Sequence, residues 1–121
     1  MTQKEKLYQE TLTNNYFLTL KIKELGVSYK YRGFSYLVDI QDLLINQNAK
    51  VKAFYKDVYP YIAEKHKKNE CTIERDIRNL IDKLWEPILK NKLIVFWNKE
   101  KKPRCCEFIY LVKNYILGQV I

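Results

Sequence analysis

The sequence predicts an all-α fold: a single domain of about five to six helices containing a helix-turn-helix. Three observations carry the helical expectation. Glycine and proline number only three each, too few to punctuate a turn-rich β fold. Of the 121 residues, 47% are hydrophobic, which suffices for one core at this length and leaves little room for two. Apolar residues recur mainly at intervals of three and four, the period of a helix that buries one face.

The first helix is expected from about Lys4 to Leu25, where Tyr8, Leu12, Tyr16 and Leu20 recur at near-helical spacing and Gly26 can end it. Val27–Arg32 is a short connection with some β character and no partner strand. A second helix begins near Gly33, with Phe34, Leu37, Val38, Leu44 and Ile45 as its stripe and Gln41 as the polar interruption. Asn46–Asn48 closes it. A third helical stretch starts at about Ala49, and Val51, Phe54, Tyr55, Val58 and Ile62 form its apolar face, within which Pro60 falls. A proline there kinks a helix or opens a new one; the helix formers after Tyr59-Pro60 favour a separate short helix ending near His66.

The polar turn Lys67-Lys68-Asn69-Glu70 leads into a fourth helix, about Cys71 to Trp85. Ile73, Ile77, Leu80, Ile81 and Leu84 give it the strongest periodicity in the chain, and Pro87 limits it. Ile88–Lys102 is hard to read: Leu93–Trp97 fits a short strand as well as a buried helical turn. A last helix follows Pro103 and buries Phe108, Leu111, Val112, Tyr115 and Ile116.

The formal charge is +8, which attracts polyanions but also serves solubility alone. The polar start Met1–Tyr8 is no signal peptide, and the apolar run Leu93–Trp97 is far short of a membrane span. Three cysteines, two adjacent as Cys105-Cys106, make no disulfide framework and suit a reduced, cytoplasmic protein. With a single histidine and no paired-cysteine motif, no metal site and no cofactor are expected. No nucleophile–base grouping or phosphate loop is present, so the chain does not read as an enzyme and no small-molecule substrate is implied.

The informative stretch is Tyr59–Trp85: short helix, polar turn, longer amphipathic helix, the arrangement of a helix-turn-helix. Ala63 suits close packing of the two helices and Ile73 anchors the second, while Lys67 stands where glycine is common. Two helices joined by a polar turn also occur in any helical domain. The polar face of the second helix presents Thr72, Glu74, Arg75, Arg78 and Asn79. Arginine reads guanine through paired donors, asparagine reads adenine and glutamate accepts from cytosine. The same residues also fit a solvated face with a Glu74–Arg78 ion pair. Lys67, Lys68, Lys102 and Arg104 are candidate phosphate contacts, Lys102 and Arg104 within a basic cluster that begins at Lys90.

These residues fall into a familiar order. Leu25-Gly26-Val27, Gly33-Phe34-Ser35-Tyr36-Leu37, Tyr59-Pro60-Tyr61-Ile62-Ala63, Ile73-Glu74-Arg75-Asp76-Ile77-Arg78 with Trp85, then Lys102-Pro103 and Glu107-Phe108-Ile109 follow one another. Over about residues 20–117 the chain resembles the C-terminal DNA-binding effector domain of the stage-zero sporulation response regulator. Residues 1–19 read as an N-terminal extension of the same single domain, 1–121.

The resemblance implies an all-helical domain that places a recognition helix in the major groove of double-stranded DNA, with homodimers side by side on tandem sites. It also implies recognition roles for Glu74, Arg75 and Arg78. Thr72 replaces a usual arginine, Asn79 a common histidine, and Cys105-Cys106 a small polar pair. Too few residues precede the matching region for the family's phospho-receiver, so a stand-alone, sequence-specific transcriptional regulator is expected. The alternatives are a module that modulates a full-length regulator and a nonspecific DNA binder.

Overall fold

A computed structural model describes residues 15–118. Within them α1 covers 15–24, α2 is Arg32–Gln41 and continues as a π turn, Asp42–Asn46. The single turn α3, Phe54–Asp57, precedes α4, Tyr59–His66, and α5, Glu70–Leu84. A second π turn, Trp85–Leu89, runs into the short α6, Lys90–Leu93, and α7 is Cys105–Leu117. No strand occurs among the described residues, and the fold is all-α.

Helix α5 is the hub. Its predicted stripe, Ile73, Ile77, Leu80, Ile81 and Leu84, is buried against α2, α4 and α7. Each such side chain contributes roughly 1.5–3 kcal/mol on burial, whereas an exposed i, i+4 ion pair contributes only a few tenths. The apolar stripe therefore holds α5 in place, and its polar face is free for other work. Gly33 lets α2 approach: a Cβ there would sit 3.2 Å from the carbonyl oxygen of Asp76 and from Leu80 Cδ1. Gln41 ties α2 to α7, since its fully buried amide donates to the Ile109 carbonyl at 3.0 Å. What reads as an interruption in the stripe is a cross-link.

Pro60 lies in the first turn of α4, so the short separate helix forms as the spacing predicts. Several other expectations need correction. In α1 the buried residues are Leu18 and Ile22, followed by Leu25, while Tyr16 and Leu20 are exposed. The tyrosine-containing stripe lies two residues, and so nearly half a turn, from the true face, because both faces of the helix carry apolar side chains. Its N-terminal part, from Lys4, lies outside the described residues. The third helical stretch begins at Phe54 and not near Ala49; Tyr55 is exposed, and Tyr115 only half-buried.

Pro87 does not end the helical run. It sits inside the π turn Trp85–Leu89, and helical backbone continues through α6. A wider turn accommodates the missing N–H and the ring that an α-helical interior rejects. Leu93 is a buried end of helix, while Ile94 and Val95 project outward, so the apolar run Leu93–Trp97 is a turn and not a strand.

Candidate nucleic-acid interface

The α4–turn–α5 unit is fixed at both ends of its turn by local chemistry. At the end of α4 the Lys68 N–H donates to Ala63 O at 2.9 Å and the Lys67 N–H to Glu64 O at 3.3 Å, a Schellman arrangement. It requires left-handed backbone at Lys67, which has φ 55° and ψ 46°. That conformation costs a side chain roughly 1–2 kcal/mol, offset in part by glycine's own entropic cost of about 0.5–1 kcal/mol. Lys67→Gly is therefore expected to raise stability by about 0.5 kcal/mol, read as a higher urea midpoint at unchanged m.

Asn69 caps α5. Its Oδ1 accepts from the Thr72 N–H at 2.8 Å and from the Thr72 hydroxyl at 2.9 Å. The helix accordingly begins at Glu70, one residue before the expected Cys71. Asn69→Ala is expected to cost about 1 kcal/mol in denaturant unfolding. The cap also engages Thr72: its hydroxyl proton is committed to Asn69, leaving the methyl group and oxygen lone pairs for a ligand.

The lone histidine has a structural place. His66 Nε2 lies 2.5 Å from Asp39 Oδ2, and Lys65 Nζ lies 2.9 Å from Asp39 Oδ1. The His66 ring meets the edge of Tyr36 at 4.9 Å. Together these contacts rivet the end of α4 to α2, so the unit cannot pivot without breaking them.

Along α5, Arg75, Arg78 and Asn79 are exposed, and Glu74 and Thr72 are half-buried on opposite flanks. Arg78 Nη1 meets Glu74 Oε1 at 3.3 Å. Arg75 has a looser neighbour: its Nε is 3.9 Å from Asp76 Oδ1. Asp76 is 8% exposed and keeps one carboxylate oxygen unpartnered just behind the basic face.

The Glu74 flank is bordered by the segment before α7. Lys102 pairs with Asp82, and Arg104 Nε meets Glu107 Oε1 at 3.1 Å. Glu107 also accepts the Arg104 backbone N–H and lies 3.6 Å from Lys99. The N–H bond is the main reason its carboxyl is held below the usual range, and the two cations add to it. On the opposite flank Lys68 and Arg32 share a cleft with Thr72 and Asp76, and Lys30, Arg32 and Lys83 share another with Asn79.

The fold thus gathers the residues singled out from the sequence onto one surface: Thr72, Glu74, Arg75, Arg78 and Asn79 on α5, with Lys67 and Lys68 at its start and Lys102 and Arg104 along one side. Lys30, Arg32 and Lys83 were missed. Lys83 carries a legible signal, because Thr72, Asp76, Asn79 and Lys83 recur at i, i+4, i+7 and i+11. Arg32 and Lys30 reach the site only because Gly33 brings α2 against α5, a tertiary fact.

Among the described residues no helix is long and apolar enough to cross a membrane. Nor does any group of three or more His, Cys, Asp or Glu side chains there lie where it can hold a metal ion. The family model described as sporulation initiation factor Spo0A C terminal matches residues 18–116 of the chain.

Proposed function

The chain belongs to the family of the sporulation initiation factor Spo0A C-terminal domain, a helical DNA-binding domain of a sporulation regulator, and from that premise we propose that it is a sequence-specific transcriptional regulator that lays α5 in the major groove. The observation that carries this reading is the outer face of α5. Arg75, Arg78 and Asn79 stand exposed on it, with cations on both flanks. A groove-reading helix needs both features, since base contacts specify and phosphate contacts position.

In this reading Arg75 and Arg78 read guanine, Asn79 adenine and Glu74 cytosine, while the Thr72 methyl packs on a thymine. Lys67, Lys68 and Lys83 with Lys30 and Arg32 hold phosphates on one side, and Lys102 and Arg104 on the other. Two domains bind side by side on tandem sites, which predicts repeated half-sites about one helical turn apart.

Selection from a randomised duplex library at roughly physiological salt tests the proposal, because counterion release no longer dominates there. An enriched, repeated motif is the expected result. Uniform recovery, with binding that vanishes as salt rises, would overturn it in favour of nonspecific binding. The engagement of the Thr72 hydroxyl by Asn69, where the family usually has an arginine, favours a second reading: a module that pairs with a full-length regulator. Light scattering of the mixture separates the two, because only the second forms a stable complex without DNA.

A further inference from the structure

A broad cleft lies along one side of α5, between it and the segment before α7. It encloses about 550 Å³, within the range of small-molecule sites. Its floor is made by Phe54, Tyr59, Ile81, Pro103, Cys105 and Cys106, drawn from α3, α4, α5 and the start of α7. The rings are held in fixed relation: Phe54 lies 5.8 Å from Tyr59 and 5.5 Å from Tyr110, perpendicular to the latter. Tyr59 and Pro103 are buried. The Cys105 thiol donates to the Glu74 carbonyl at 3.7 Å, and burial pushes its pKa up to about 11. This wall is therefore neutral and apolar.

The rim is charged and unevenly balanced. Three of the lining residues are cations, Arg78, Lys102 and Arg104, and two are carboxylates, Glu74 and Asp82. Glu107 serves both Lys99 and Arg104, and the Arg104 side chain is 82% exposed. One anion above the floor would complete this set. The rim acids are all exposed or half-exposed, so rearranging their pairs costs little.

We propose that this cleft is a binding site for a small planar aromatic molecule carrying one anionic group, its ring on the Phe54–Tyr59 floor and its charge between Arg104 and Lys102. Because Arg78, Lys102 and Arg104 are also DNA contacts in the function proposed above, occupancy weakens DNA binding. That second clause rests on the proposed function; the first does not.

The test titrates the full chain with anilinonaphthalene sulfonate, a fluorescent aromatic anion, and with uncharged phenylnaphthylamine. The sulfonate is expected to saturate one site, with amide shifts confined to residues around Phe54, Ile81 and Cys105 in a well-dispersed spectrum. Arg104→Glu, an exposed change that spares the floor, is expected to weaken the sulfonate about tenfold and the neutral probe little. Unsaturable binding, shifts centred elsewhere, or equal effects on both probes would overturn the site. Adding the sulfonate to a duplex complex is expected to raise the apparent DNA dissociation constant. Saturable binding that leaves DNA affinity unchanged would overturn the coupling, and failure of the chain to bind any duplex would count against the proposed function and not the cleft.

Discussion

Gly26→Ala is expected to destabilise the domain by about 3 kcal/mol, from roughly equal backbone and packing penalties. Gly26 follows α1 with φ +99°, and a Cβ built there would stand 2.4 Å from Ile88 Cγ2. The first fact strains any L side chain there whatever the space. The second places a methyl group inside a residue of the π turn, where Ile88 is itself packed against the core. In a domain of this size the loss lowers the melting temperature by on the order of 10 °C. Ile88→Ala removes the obstruction but not the torsion, so the double variant should recover only part of the loss. A thermal melt of the four proteins gives the cycle. A single variant within about 0.5 kcal/mol of the parent would mean that the α1–π-turn contact is looser than the geometry states.

Gly26 also marks how the sequence can be read. A glycine after an apolar-periodic run is a local signal, legible without the fold, and it did end α1. What it packs against was not legible. Ile88 follows Pro87, and a proline inside a helical pattern reads as a stop. The π turn that absorbs it is set by tertiary packing: Trp85 and Leu89 on either side are buried, and no local pattern announces a widened turn.

The same division holds at the candidate interface. The α5 stripe was strong enough to fix the helix, so the opposite face followed from arithmetic, and Arg75, Arg78 and Asn79 fall where the period puts them. The register of α1 did not follow, because Tyr16, Phe17 and Leu20 make its exposed side look like a core face. Arg32 and Lys30 were invisible for a different reason: their nearness to Asn79 and Thr72 depends on one close approach between two helices. Sequence periodicity says which face turns inward. It does not say which neighbour's charges border the outward one.

Arg75→Ala is expected to carry the largest loss of DNA specificity, about 1–3 kcal/mol on the selected site with discrimination relaxed at one base pair. Arg75 stands on the exposed face with its nearest carboxylate, Asp76, 3.9 Å from Nε, which leaves the terminal nitrogens available for a bidentate contact. Arg78 has Nη1 engaged with Glu74 at 3.3 Å, so reading a base first requires giving up that pair. Arg78→Ala should therefore fall at the lower end of the same range. Lys68→Ala should instead weaken every duplex alike and reduce the salt slope by about one. Binding titrations of the three variants against the selected and a scrambled duplex, each at several salt concentrations, separate the cases. If Arg75→Ala loses the same factor on both duplexes, its guanidinium neutralises phosphate, and the reading face of α5 must be sought around Asn79.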